Sequence, residues 1–155
     1  NKKISRHTTH YGIDTEPAWS PNSKKLLFTS NRSGSPQIYE LTISSNRIKR
    51  VTLDGDYNAR ASYFPDGKDI VLVHGNNGVF HIGTKKIKSR FINTISKTTL
   101  DESPTISPNG NIIIYATKNN TQGYLAGLTL DGKSKFTLPV KLGSVREPAW
   151  SPFMN

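Results

Sequence analysis

Short apolar segments alternate with turn residues along the whole chain, and their order repeats at a nearly constant interval. The hexapeptide Glu16-Pro17-Ala18-Trp19-Ser20-Pro21 returns unchanged at 147–152, and diverged copies occupy 61–65 and 103–108. The anchoring prolines lie 44, 43 and 44 residues apart, at Pro21, Pro65, Pro108 and Pro152. A fixed period of roughly 20 to 50 residues is typical of solenoids and propellers, so the repeat is the first guide to the fold.

Each anchor is followed by the same series of a two-residue turn, an apolar run, a second turn and two further short strands. The turns Asp66-Gly67 and Asn109-Gly110 are strong hairpin signals. The apolar run at 70–73 has no polar alternation, which is typical of a strand buried on both faces. Four short antiparallel strands in every repeat predict the blade of a β-propeller.

The predicted fold class is therefore all-β, with one β-propeller fragment over residues 1–155. We expect complete four-stranded blades at about 16–52, 59–94 and 103–138, and partial strands at 4–9 and 147–153. Trp19 and Trp150 are expected to be core wedges between blades. The alternative is a β-sandwich whose repeats are coincidental.

Three blades cannot close a ring, because propellers typically have about 4 to 8 blades. We therefore expect this chain to be part of a six-bladed propeller. The missing blades would come from a longer chain or from a second copy, in which case a homodimer would complete the ring.

Composition agrees with β-structure, since 35 residues are β-branched and 14 are aromatic. The absence of cysteine excludes a disulfide framework, a thiol nucleophile and a Cys-ligated zinc site. The longest uninterrupted apolar run, 112–116, is much shorter than the roughly 18 to 20 residues of a membrane-spanning helix. No membrane-spanning segment is predicted.

The net charge of +10 is unevenly distributed. The four links that lead into the inner strands, 14–17, 54–60, 100–104 and 143–148, hold seven acidic and two basic side chains, a balance of −5. Such links gather at the mouth of a propeller's channel, so an acidic rim on a basic protein predicts a docking face for a partner with basic contacts. The alternative is that these carboxylates only hydrogen-bond nearby backbone in turns.

An enzymatic interpretation is weighed against this. Glu16, Glu102 and Glu147 could supply the paired carboxylates of a glycosidase, whose separation the sequence does not give. The chain has no G-x-S-x-G elbow, which disfavours a peptidase. The four histidines, His7, His10, His74 and His81, lack the spacing of a helical zinc site, so neither a metal nor another cofactor is predicted.

Basic residues cluster at 47–50, 85–90 and 133–135, each at the hairpin between the third and fourth strands. Lysines at sheet edges discourage edge-to-edge aggregation, which is the simpler interpretation. The functional alternative is attraction to anionic lipid head groups, peptidoglycan or nucleic acid. No RNA-binding aromatic motif accompanies the charges, so nucleic-acid binding is not predicted.

Five segments together resemble the TolB family, the periplasmic propellers of the Tol-Pal envelope system of Gram-negative bacteria. They are 15–21 (TEPAWSP), 29–32 with 36–39 (TSNR, PQIY), 55–60 (GDYNAR), 100–104 (LDESP) and 146–153 (REPAWSPF). The resemblance spans nearly the whole chain. The P-D-G-K repeat alone would be weaker evidence, because it also occurs in propellers of prolyl-oligopeptidase-like peptidases.

The resemblance implies a six-bladed, non-enzymatic propeller that docks the lipoprotein Pal and supports outer-membrane integrity and constriction during cell division. It also implies that 147–153 is the closing strand of the ring. The family's TolA-contacting N-terminal domain is absent, and other Tol proteins or colicins would contact parts outside these residues. The residues that the resemblance places toward the partner are Thr15, Glu16, Tyr57, Asn58, Arg60, Asp101, Glu102, Arg146 and Glu147. The second blade departs from the family pattern at 58–60 and 63–65.

The runner-up function is the propeller portion of a glycosidase or of a prolyl-oligopeptidase-like peptidase. Binding without turnover would favour the envelope module, and turnover without binding would favour the enzyme.

Overall fold

Twelve β-strands form three antiparallel sheets of four in the computed structural model, which describes residues 4–119, 122–131 and 133–151. The first blade consists of β1 (Asp14–Trp19), β2 (Lys25–Ser30), β3 (Gln37–Thr42) and β4 (Arg47–Arg50). The second consists of β5 (Tyr57–Tyr63), β6 (Asp69–Asn76), β7 (Val79–Lys86) and β8 (Asn93–Thr94). The third consists of β9 (Glu102–Ile106), β10 (Ile112–Lys118), β11 (Gly123–Thr129) and β12 (Lys135–Leu138). None of the described residues lies in a helix long and apolar enough to span a bilayer.

Within each sheet the strands follow chain order from the inner to the outer edge, so the predicted propeller fold is confirmed. Strands β6 and β7 are paired along their whole length, from Asp69 opposite Lys86 to Asn76 opposite Val79. Asn77 and Gly78 join them with φ values of 51° and 78°. A two-residue turn with two positive φ angles matches the twist of the flanking strands, which is why Asn-Gly is favoured there.

The apolar second strand of the middle blade, β6, is buried because the blades pack face to face. On β6, Ile70 and Leu72 contact the first blade in a cluster that includes Leu27 and Ile38. The alternate residues of β6 contact the third blade, in a cluster that contains Val71, Val73, Ile113 and Tyr115. Because both faces of β6 are covered, its sequence is continuously hydrophobic. Each such side chain contributes about 1.5 to 3 kcal/mol when it is fully buried.

The two ends of the chain differ from the prediction. Residues 4–13 and 139–151 contain no strand, and 152 and 153 lie outside the described residues. The inner and outer positions of the first and third sheets are filled by those sheets' own strands, so neither end segment is paired as a strand in the described part of the chain. Val145 is nevertheless tied to the third blade, since its amide donates to the Gly123 carbonyl at 3.3 Å.

Trp19 is not the expected core wedge, because it is 58% exposed. Tyr63 occupies the equivalent position on β5 and is only 9% exposed, since it packs against the first blade. No described blade precedes β1, so Trp19 has no such neighbour. Trp150, the fourth equivalent, is half-buried.

Candidate functional site

The inner strand of every blade has a β-bulge at the same point of the repeat. The register breaks between Thr15 and Ala18 on β1 and between Ala59 and Ser62 on β5, and β9 has the same irregularity. The bulged residues are Glu16, Arg60 and Ser103, with φ values of 56°, 53° and 53°. Glu147, in the fourth copy, has a φ of 52°.

Residues other than glycine seldom adopt this left-handed conformation. Bulges redirect side chains out of the strand's normal alternation, and backbone strain of this kind persists only where the surroundings hold it. The four equivalent side chains converge as a result. The Arg60 Nε lies 2.9 Å from a Glu16 carboxylate oxygen. Its Nη1 donates to Ser103 Oγ at 3.0 Å and to Glu147 Oε1 at 3.1 Å.

Glu16 also fixes the backbone of the next blade. Its Oε2 accepts a hydrogen bond from Thr29 Oγ1 at 2.7 Å and another from the Arg60 amide at 3.1 Å. One carboxylate therefore joins the inner strands of the first and second blades. Thr29 and Ser103 could not be predicted as members of this network from the charge pattern, because neither carries charge.

A cleft of about 610 Å³ opens beside this network, and we call it the mouth cleft. Its apolar wall consists of Tyr57, Phe80 and Leu100, with the Tyr57 and Phe80 rings packed edge to face at 5.1 Å between centroids. Burial raises the pKa of the Tyr57 hydroxyl, and the Glu16 charge adds to this. Leu100 remains 50% exposed, so part of the wall is available to a partner.

The rim of the mouth cleft carries a second ion pair. The Arg146 Nε lies 3.6 Å from Glu102 Oε1, and the two side chains are 69% and 41% exposed. Glu102 is the first residue of β9, Arg146 lies in the C-terminal segment without strands, and Lys118 lies on the same rim. Charged rims around half-exposed apolar walls are the usual anatomy of protein interfaces.

Of the nine residues placed toward a partner from the sequence, six line the mouth cleft and a seventh contacts Arg60 directly. The six are Glu16, Tyr57, Arg60, Asp101, Glu102 and Arg146, and the seventh is Glu147. Thr15 is exposed but lines a separate groove of about 190 Å³ with Asp14 and Pro17. Thr15 does not line the mouth cleft.

Asn58 and Asp101 are buried, with exposures of 0% and 1%, and neither side chain is available to touch a docked partner. The Asn58 amide donates to Gln37 Oε1 at 3.0 Å and to the Asp54 carbonyl at 2.7 Å. Asp101 accepts a hydrogen bond from the Ser96 hydroxyl. Buried polar groups need such partners, so the hydrogen bonds of both side chains hold the links in place from the protein interior.

Most carboxylates of the acidic links predicted from the sequence form ion pairs with arginine side chains. Asp14 is equivalent to Asn58 and Asp101 in the repeat, and it accepts two hydrogen bonds from Arg32 Nη2, at 2.8 and 2.9 Å. Burial opposes ionisation of Asp14, but hydrogen bonds from Arg32, Ser30 and Thr8, together with the Arg32 charge, outweigh it and hold the pKa of Asp14 below its usual value. Arg32 was missed because it lies on a hairpin outside the links, where it stacks over Phe28 and Tyr39.

Two carboxylates of the rim, Asp54 and Asp56, make no ion pair in the described part of the chain. Neither of them lines the mouth cleft. Among the residues that the structure describes, no three His or carboxylate side chains are grouped as metal ligands. His74 Nδ1 is hydrogen-bonded to Asn58 at 2.9 Å, and burial lowers the pKa of its imidazole.

Comparison with known proteins gives one consistent family. The family described as TolB beta propeller domain matches residues 1–154. The Tol-Pal system protein TolB of Pseudomonas aeruginosa is 40% identical over 103 residues, which cover 65% of this chain and 24% of that protein. TolB of Bordetella pertussis is 38% identical over 150 residues, covering 97% of this chain and 34% of that protein.

The crystal structure of TolB from Acinetobacter baumannii superposes with a TM-score of 0.89 and 41% identity, covering 97% of this chain and 38% of that chain. The chain thus spans about a quarter to a third of the length of these curated relatives.

Proposed function

This chain belongs to the TolB β-propeller family, and on that basis we propose that it is the propeller portion of a periplasmic, non-enzymatic component of the Tol-Pal system. Two observations support this proposal. Relatives called Tol-Pal system protein TolB share about 40% identity with it. The three residues equivalent to Arg60 in the repeat, Glu16, Ser103 and Glu147, contact it through hydrogen bonds and ion pairs, which engages the two carboxylates in structure rather than leaving them free for hydrolysis.

The mouth cleft is proposed as the docking site for the lipoprotein Pal. The observation that carries this proposal is the convergence of four repeat copies on one guanidinium beside a half-exposed apolar wall. Tyr and Arg are the side chains most enriched at the energetic centres of protein interfaces, and both occur here as Tyr57, Arg60 and Arg146. Through this contact the protein would support outer-membrane integrity and constriction at division.

Charge would act mainly on the approach of the partner. The four links together carry a balance of −5 while the whole chain carries +10. A local field of the opposite sign steers a partner that presents basic side chains, and this accelerates association more than it strengthens the final complex.

Calorimetric titration of this chain with the soluble domain of Pal tests the proposal. The double variant Glu102→Ala, Arg146→Ala removes an exposed ion pair from the mouth rim without changing the net charge. We expect it to weaken binding by about 1 kcal/mol or more, which is roughly a fivefold or larger rise in Kd.

The matched control is Asp131→Ala, Lys133→Ala, which removes an exposed ion pair from the third blade, far from the mouth cleft. It should bind Pal like the unaltered chain, and Thr15→Ala should do the same because Thr15 lies in the separate groove. Equal losses in the rim variant and the control, or no binding by the folded chain, would contradict the proposal.

The homodimer expected from the blade count stays a prediction. An apolar cluster of the first blade, with the partly buried Leu26, Ile43 and Ile48 around the buried Phe28, Tyr39 and Leu41, is suited to cover by a further blade. Sedimentation equilibrium of the chain would measure whether a second copy supplies it.

A further inference from the structure

A second large cleft lies between the first and second blades, at the other end of the inner strands. Its volume is about 690 Å³, and it adjoins the turns that follow β1 and β5, whereas the mouth cleft adjoins the beginnings of those strands. We call it the lysine cleft. The lysines that line it are Lys25, Lys49, Lys68, Lys86 and Lys88, and the acids are Glu40, Asp66 and Asp69.

One buried carboxylate organises two of these lysines. Glu40 is 1% exposed, and its Oε1 lies 2.9 Å from Lys25 Nζ and 3.0 Å from Lys49 Nζ. Its other oxygen accepts a hydrogen bond from the Tyr63 hydroxyl at 2.8 Å. Burial opposes ionisation of Glu40, but hydrogen bonds from Lys25, Lys49 and Tyr63 hold its pKa below the usual value. A single negative charge thus fixes two ammonium groups, whose side chains stay 40% and 49% exposed.

The other three lysines add charge that is not compensated. Lys68, Lys86 and Lys88 are exposed, and none makes an ion pair in the described ranges of the chain. The cleft therefore has a net positive charge even with all three acids counted.

An exposed aromatic ring adjoins these charges. Phe91 is 78% exposed on the hairpin that leads from β7 to β8. It lines a shallow depression of about 390 Å³, and Lys86 lines both that depression and the lysine cleft, so the two form one surface. The second blade has neighbours on both faces, which means that the exposure of Phe91 does not result from an uncovered blade.

The hairpin is held in shape from inside. Lys85 is only 2% exposed, and its Nζ donates to the carbonyls of Lys86, Ile87 and Ser89. The amide of Phe91 donates to Ser89 Oγ at 3.1 Å. The ring is therefore presented by an ordered loop.

We infer that the lysine cleft and Phe91 form a surface for the phosphate-bearing head groups of an anionic lipid bilayer. Clustered lysines attract such head groups, and an apolar ring among them can enter the interface between head groups and acyl chains. Recognition of single-stranded nucleic acid would use several stacking rings or base contacts. The lysine cleft and the adjoining depression offer one exposed ring, that of Phe91. When the lysine cleft faces a bilayer, the mouth cleft stays accessible, because it lies at the other end of the inner strands.

The test uses sedimentation with vesicles of two parts phosphatidylcholine to one part phosphatidylglycerol, and with phosphatidylcholine alone. The triple variant Lys68→Gln, Lys86→Gln, Lys88→Gln should lose about 100-fold in affinity for the anionic vesicles, since each lysine near a bilayer is worth roughly fivefold. The control triple Lys97→Gln, Lys135→Gln, Lys141→Gln removes the same charge from other exposed sites and should lose less than about fivefold. Phe91→Ser should weaken binding about fivefold at unchanged net charge.

All substituted side chains are exposed, so each variant is expected to fold, and its melting midpoint checks this. Equal binding to both vesicle types, or equal losses in the two triple variants, would overturn the inference. So would tighter binding of duplex DNA than of vesicles, or occupation of the cleft by inorganic phosphate in a chain that ignores vesicles. An unchanged affinity of Phe91→Ser for the anionic vesicles would show that the ring does not take part in binding.

Discussion

The two ends of the inner strands are organised by inverse charge arrangements. At the mouth, the cation Arg60 is held by the carboxylates of Glu16 and Glu147 and is 37% exposed. At the lysine cleft, the anion Glu40 is held by Lys25 and Lys49 and is 1% exposed. Solvent screens the first cluster and hardly reaches the centre of the second. We therefore expect the same kind of network to act mainly on recognition at one end and mainly on stability at the other.

The sharpest test of this difference is Glu40→Ala. The substitution removes the acceptor for three donors and leaves the Tyr63 hydroxyl without its partner in a buried position. We expect the free energy of unfolding to fall by about 3 kcal/mol, less than for a fully buried pair because both lysines regain water.

Chemical denaturation gives this value for Glu40→Ala, and Tyr63→Phe, which loses one hydrogen bond to a charged group, should cost about 1.5 to 2 kcal/mol. A loss below 1 kcal/mol in Glu40→Ala would mean that the cluster is as weakly coupled as the one at the mouth.

The second prediction concerns pH. The pKa of Glu40 is lowered from its usual 4.5 in the folded protein, so its ionised form stabilises the fold. This contribution is complete above the unfolded-state pKa and is lost as the pH falls through the folded-state pKa. We expect the free energy of unfolding to fall in acid, and we expect the Glu40 part of this loss to be absent from Glu40→Gln.

Unfolding free energies of the two proteins, measured from neutral to acid pH, should converge at the acid end. Asp14 contributes a loss of the same sign in both, because its pKa is lowered too, and so it cancels in the difference. Parallel curves would show that Glu40 does not titrate as its surroundings imply.

The smallest effect is expected at Arg60, where two substitutions separate side-chain contacts from backbone strain. Arg60→Ala loses the ion pairs and keeps a Cβ at a φ of 53°, so it should destabilise the fold by about 1 kcal/mol. Arg60→Gly loses the same contacts but adopts a positive φ freely, which should recover roughly 0.5 to 1 kcal/mol.

Thermal unfolding of the two variants measures this difference. If Arg60→Gly were the less stable of the two, the left-handed conformation would not be a source of strain at this position.

The repeat made the blades predictable, and particular residues show where prediction stops. The identical hexapeptides identified Glu16 and Glu147 as equivalents, and both are joined to Arg60. Their convergence could not be foreseen, since it depends on a bulge and on contacts between residues 44 and 87 positions apart.

Burial was harder to predict than position. Asn58 and Asp101 belong to the acidic links, yet they are buried, at the repeat position that they share with Asp14, two residues before the bulged residue. Lys85 belongs to the basic run 85–90, which was expected at an exposed sheet edge, but its side chain is only 2% exposed. Charge counts along a chain do not show which side chains are enclosed, because enclosure depends on neighbours from other blades.

The bulge gives each blade one site that is independent of the strand's hydrophobic alternation. Glu, Arg and Ser all occupy it with nearly the same backbone angles, so the backbone tolerates different chemistry there. For protein engineering, one substitution per blade at this position would change the order of charges around the mouth of such a propeller. The apolar packing between the blades would stay the same.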